Sequence, residues 1–224
     1  MTEPAAAGLA GVPEATLPAA MGRLRDELAR RNIECVYFPD GAAALRFLLE
    51  RIPAGATVMN GGSTTLEQIG FVRALEQGRY AWPRPGIKAI GDAAERTRAR
   101  RRATIADTFV GGINAITAGG EIVNADGGGN RVAAYAFGAG RVFLVAGVNK
   151  VVPDLAAAFD RLRNQAAVGE CRSLGKRTPC ALTGKCDNEA CRGPERQCGK
   201  LLVIEYEKIP GRICVVMVGE ALGY

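Results

Sequence analysis

The run Arg141-Val-Phe-Leu-Val-Ala-Gly147 constrains this chain more than any other stretch. After Arg141 it carries no polar side chain. A strand with one wet face alternates apolar and polar residues, so an unbroken apolar run predicts a strand covered on both faces. Helices packed on both sides of a mostly parallel sheet provide that cover, which makes the fold class α/β.

The segments before and after the run agree with this. Met21, Leu24 and Leu28 share one face of a helix predicted over residues 21–31. A strand over 33–38, a helix over 41–52 and a strand over 56–59 make a βαβ unit, so the sheet starts parallel. Helical periodicity returns over 64–77, 92–106 and 153–167. The last of these has Pro153 near its start and Leu155, Phe159 and Leu162 on one face. Residues 107–116 form the next strand region and 121–124 a short strand. The two closing apolar runs, 201–206 and 213–218, meet at Pro210-Gly211 and predict an antiparallel hairpin on the sheet edge.

Polar residues with little folding role gather where the apolar runs end. Asn60-Gly-Gly-Ser-Thr-Thr65 lies between a strand and a helix. Its glycines let backbone approach a ligand, and its hydroxyls and free N–H groups point inward, which outlines an anion cradle. Its plainer reading is a tight turn with Ser63 or Thr64 as the helix cap. The lysine of a phosphate-binding P-loop is missing. Asp126-Gly-Gly-Gly-Asn130 must be a loop, because consecutive glycines cost too much backbone entropy inside an element. Asn130 is placed to cap the helix that follows.

Taken singly, Asn or Asp beside glycine is more often a turn former than a ligand group. Taken together, such residues at successive strand ends converge on one edge of a parallel sheet, where α/β proteins bind small molecules. The expected ligand site therefore comprises Asn60, Gly61, Gly62, Ser63, Thr64, Thr65, Asn114, Thr117, Asp126, Gly128, Asn130, Arg131, Asn149 and Lys150. Arg131 and Lys150 would hold a carboxylate or phosphate. Glu121, Asp126 and Lys150 are the candidate catalytic groups.

Composition narrows the chemistry. The chain has no histidine, which removes the commonest general base and the commonest metal ligand together. It has seven cysteines, and Cys180, Cys186, Cys191 and Cys198 fall in one short segment. Four thiolates complete a tetrahedral zinc or cap a four-iron cluster, and the spacing does not separate the two. A surface loop with reduced thiols is the alternative. Residues 171–200 lack periodicity and read as a long loop that a bound metal would order. Cys35 and Cys214 lie in strand runs and read as buried small apolar residues.

The net charge is +6, with five arginines between Arg96 and Arg102. A solvated helix face or a phosphate or CoA patch accounts for them. The interleaved aromatics of a nucleic-acid surface are missing, and nucleic acid is not an expected partner. No apolar run reaches the ~18 residues of a membrane span. Residues 1–20 read as a flexible lead-in, with no basic region followed by an apolar one. The chain is expected to be cytoplasmic, with one domain over 21–224 and its oligomeric state open.

Several of these segments together resemble the lactate-utilisation (LUD) domain family. They are Met59-Asn-Gly-Gly-Ser-Thr-Thr65, Ala106-Asp-Thr-Phe-Val-Gly-Gly-Ile-Asn-Ala-Ile-Thr117, Glu121-Ile-Val-Asn-Ala-Asp-Gly-Gly-Gly-Asn-Arg-Val-Ala133, Val142-Phe-Leu-Val-Ala-Gly-Val-Asn-Lys-Val-Val152 and Val218-Gly-Glu-Ala-Leu-Gly-Tyr224. The resemblance implies a three-layer α/β domain similar to ribose-phosphate isomerases and CoA transferases. It implies a link to oxidation of L-lactate to pyruvate, a small carboxylate ligand and iron–sulfur partner proteins. The cysteine insert resembles that of short stand-alone members. An isomerase- or transferase-like enzyme acting on a phosphorylated or CoA-linked substrate, and a non-catalytic ligand-binding subunit, are the other readings.

Overall fold

The computed structural model describes residues 19–224. The lead-in expected over 1–20 lies outside them except for its last two residues, which open a helix. The elements run α1 (Ala19–Arg30), β1 (Glu34–Phe38), α2 (Gly41–Arg51), β2 (Val58–Asn60), α3 (Thr64–Gln68), α4 (Phe71–Leu75), α5 (Arg84–Ala89), α6 (Ala93–Arg102), β3 (Thr108–Gly112), β4 (Ala115–Thr117) and β5 (Ile122–Asp126). Then come α7 (Asn130–Ala133), β6 (Arg141–Gly147), β7 (Val151–Val152), α8 (Leu155–Arg161), α9 (Ala167–Ser173), α10 (Pro179–Thr183), β8 (Lys200–Ile204) and β9 (Ile213–Val218). A π-turn, Leu162–Ala166, joins α8 to α9 as one rod, and another, Ala134–Gly138, extends α7.

Five strands form one sheet in the order β1-β9-β6-β3-β2, and every pairing in it is parallel. β6 shows why the apolar run is unbroken. Val142, Leu144 and Ala146 pack into one core with Met21, Leu24 and Leu28 of α1. Phe143 and Val145 pack into the other with Leu48 of α2, Leu66 of α3 and Phe71 of α4. Both faces of the strand are therefore dry, and alternation has nothing to alternate between.

A second sheet, ordered β7-β4-β5-β8, covers part of the first. Ile116, Ile122 and Ile204 turn inward to the α1 core. Ala115 and Val123 turn outward under Ala158 and Leu162 of the α8 rod. The strand region predicted over 107–116 is thus two strands in two sheets, broken at Ile113-Asn114.

Three expectations change. β1 and β2 do not adjoin; they are the opposite edges of the sheet, with β9, β6 and β3 between them. The closing hairpin does not form. β8 pairs antiparallel with β5 in the small sheet, and β9 lies between β1 and β6. All six residues of β9 are buried, so it needs two covered faces, which an edge hairpin cannot supply. β8 is exposed at Lys200 and Leu201 and suits an edge. The helix predicted to end near 167 continues through Cys171 to Ser173, and α10 adds order within the segment read as a loop. Among the described residues no helix is long and apolar enough to cross a membrane.

Candidate ligand site

The strands β2, β3 and β6 are parallel neighbours, so their carboxyl ends share one rim. The turn over 61–65 follows β2, Gly112-Ile113-Asn114 closes β3, and Lys150 follows β6 on a short 3-10 turn. These line a cavity of about 160 Å³ together with Asp126 and Gly127 after β5 and Asn130 and Arg131 of α7. The α8–α9 rod closes one side with Leu162, Ala166 and Glu170, and the chain end supplies Gly223 and Tyr224. The turns after Met59 and after Ala125 therefore meet.

Arg131 is fixed from several directions. Its backbone N–H donates to Asp126 Oδ2 at 2.9 Å, and its guanidinium donates to the Ala125 carbonyl. The guanidinium also lies 5.8 Å from the centre of the Tyr135 ring. Tyr135 is fully buried and donates to the Gly112 carbonyl at 3.2 Å. Glycine is required at 111, because a side chain there would run into the Tyr135 hydroxyl. A residue of the parallel sheet thus leaves room for the aromatic support of a cavity arginine.

Lys150 is buried, and its Nζ donates to Thr65 Oγ1 at 2.8 Å. Burial, with Arg161 and Arg131 nearby, lowers its ammonium to a pKa of about 7. Desolvation opposes the charged form, and neighbouring cations add to the effect. Across the cavity burial raises the Glu170 carboxyl, against the pull of Arg131. Arg161 donates to the carbonyls of Asn149 and Asn114 and so holds the strand ends in place.

The turn over 61–65 is less of a cradle than its composition implied. Ser63 Oγ accepts the Leu66 N–H at 3.3 Å, so the hydroxyl serves as helix cap. α3 has only five residues, too few to build a macrodipole of any size. The cap predicted for Asn130 is not made either. Gly129 stands at that position, and Asp126 satisfies the Arg131 N–H instead.

The cysteine segment forms a second, smaller cavity of about 10 Å³. Cys180, Cys186, Cys191 and Cys198 all line it, with Arg163 and Arg196. Burial raises the thiols of Cys186 and Cys191, and the neighbouring cysteines contribute. Cys198 lines both cavities. Among the described residues no group of three or more His, Cys, Asp or Glu side chains is arranged to hold a metal ion.

A model of the LUD domain family matches residues 21–218, nearly the whole described chain. The chain belongs to the LUD domain family.

The family is linked in general terms to lactate utilisation. No curated protein matches this LUD domain. Among solved structures it is similar to a DUF162 family protein from Deinococcus radiodurans, at 10% identity over 89% of this chain and 96% of that one, with a TM-score of 0.49. It is also similar to eIF2B delta from Chaetomium thermophilum, at 18% identity over 60% of this chain and 54% of that one, with a TM-score of 0.34.

Within this LUD domain, ten of the fifteen residues singled out in sequence for the ligand site or for catalysis line the cavity: Gly61, Gly62, Ser63, Thr64, Thr65, Asn114, Asp126, Asn130, Arg131 and Lys150. Five do not. Asn60 is buried and accepts the Trp82 indole N–H at 2.9 Å. Thr117 donates to Glu121, and Glu121 pairs with Arg31 at 2.5 Å, so both serve the small sheet. Gly128 faces the Asn130 and Asp126 side chains. Asn149 Oδ1 accepts the Leu222 N–H at 3.1 Å and pins the closing segment. Glu170, Gln197 and Tyr224 are cavity residues that the sequence reading passed over. Glu170 belongs to a helix that read as ended, and the other two are brought in only by tertiary packing.

Proposed function

We propose that this LUD domain binds a small carboxylate such as lactate or pyruvate at the strand-end cavity, and that it acts in the oxidation of L-lactate to pyruvate. The observation that carries the reading is the pairing of Arg131 with buried Lys150 around a cavity of about 160 Å³. That volume is below the ~300 Å³ at which drug-sized ligands are held, and it suits a small acid. Arg131 supplies a fork for two carboxylate oxygens. Lys150 supplies a cation that an arriving anion would stabilise, since an opposite charge favours the protonated form.

In this reading the chain works in the cytoplasm beside iron–sulfur partner proteins. A redox role also calls for a metal or iron–sulfur centre, and the cysteine segment is where soft donors gather. A phosphorylated or CoA-linked ligand is the competing reading, and it would enter by its anionic end. Calorimetric titration with lactate, pyruvate, inorganic phosphate and CoA separates the two. Binding of pyruvate or lactate, lost in Arg131→Ala, supports the carboxylate reading. Binding of phosphate or CoA alone overturns it.

A further inference from the structure

Lys150 is only 4% exposed, lines the strand-end cavity and bonds through its amine to Thr65 Oγ1. Among the described residues no carboxylate forms an ion pair with it. A buried lysine is ordinarily paired, because an isolated ammonium is costly to take out of water. The charges that act on Lys150 belong to Arg161 and Arg131, which are cations themselves. Packing alone therefore does not account for a lysine here. The surrounding bonds hold it in place all the same. Arg161 Nε donates to the carbonyl of the preceding residue, Asn149, at 3.1 Å. Gly223 leaves the amine uncovered, since a side chain there would come within 2.4 Å of Thr65 Oγ1 and 3.1 Å of Lys150 Nζ.

We propose that the Lys150 amine forms an imine with the ketone of a 2-oxo acid whose carboxylate is held by Arg131. The imine rests on the carboxylate reading of this cavity and adds a covalent step to it. Both groups line the same small space, one suited to the acid end and the other to the carbon beside it. A desolvated lysine next to another cationic group is how proteins prepare an amine to attack a carbonyl.

In the step itself the Nζ lone pair attacks the carbonyl carbon, and the π pair of the C=O bond moves to oxygen. That oxygen leaves as water with the two hydrogens that Nζ loses, and a C=N bond replaces C=O. No oxidant or reductant is consumed. Only the free amine can attack. Burial and the two arginines lower Lys150 to about 7, so about half is free amine at pH 7, against less than about one part in a thousand at a lysine's ordinary value. Glu170 lines the same cavity, and burial keeps its carboxyl protonated to higher pH, which suits it to pass a proton to the leaving oxygen. The imine takes up a proton to become an iminium, which restores a positive charge beside the bound carboxylate. A 2-hydroxy acid has no carbonyl, so lactate would be held by charge alone and pyruvate by a bond as well.

The test is to incubate the full chain with pyruvate and cyanoborohydride at neutral pH and to read the product by intact mass and peptide mapping. The expected result is a gain of one pyruvate less one oxygen, the mass of the reduced imine, located on Lys150. Lactate under the same conditions should add nothing, and Lys150→Met should remove the adduct. The mapping is made on the parent chain and so does not depend on how the variant folds. Adducts confined to exposed lysines such as Lys88 and Lys208, with Lys150 unmodified, would overturn the imine. Calorimetry on the same samples separates it from the carboxylate reading. Pyruvate and lactate that both bind, with no adduct at Lys150, overturn the imine alone. If neither acid binds and no adduct forms, both readings fall.

Discussion

The two cavities share Cys198 and yet are built by different means. The strand-end cavity stands at the ends of β2, β3 and β6, where buried strands and the Tyr135 ring fix its walls. The cysteine cavity is walled mainly by a loop with side chains half exposed and few apolar contacts. The first is shaped by the packing of the core beneath it. The difference lies in what offsets the ordering entropy: hydrophobic burial in the first, and local hydrogen bonds such as that from the Cys186 N–H to Asn164 Oδ1 in the second.

The largest effect that would test this contrast is on stability. Tyr135→Ala should cost ~3–5 kcal/mol, since it empties a fully buried aromatic site beside Gly111. Cys186→Ser should cost no more than ~0.5 kcal/mol, as for surface changes generally. Denaturant unfolding measures both, and equal losses would erase the distinction.

Next comes ligand affinity. Arg131→Ala should weaken pyruvate binding by ~1.5–3 kcal/mol, the worth of a hydrogen bond to a charged group. Titration calorimetry would read this, with Cys186→Ser unchanged beside it. If both variants bind alike, the strand-end cavity is not where the anion sits.

A third expectation concerns pH. Lys150 has its ammonium lowered from 10.5 to about 7 by burial. Carboxylate affinity should therefore fall as pH rises through about 7, approaching ~tenfold per unit above it for one linked proton. Lys150→Met should flatten the profile. Stability runs the other way. Between about 7 and 10.5 the unfolded chain binds the proton that the folded chain has lost, so this residue's unfavourable contribution shrinks as pH rises through that window. A pH-independent affinity in the parent chain would remove Lys150 from the anion's surroundings.

The smallest effect is a negative one. Glu121→Gln should leave carboxylate affinity within ~0.5 kcal/mol, because Glu121 is committed to Arg31 and Thr117 away from the cavity. A large loss on titration would return Glu121 to the site.

The sequence by itself determined that the sheet is parallel and buried, because an apolar run such as 141–147 has no other stable place. It also marked the turns that come to line the strand-end cavity, since glycines beside Asn, Asp, Ser and Thr cannot continue an element. The same apolar signal was present in 213–218, and it outweighed the Pro-Gly turn that pointed to a hairpin. Only the tertiary structure decided strand order, which placed β1 and β2 at opposite edges. It alone sent Glu121 and Thr117 to the small sheet and brought Glu170 and Tyr224 to the cavity. The physical reason is that periodicity reports how much of a strand is covered, while the identity of what covers it depends on contacts between residues far apart in the chain.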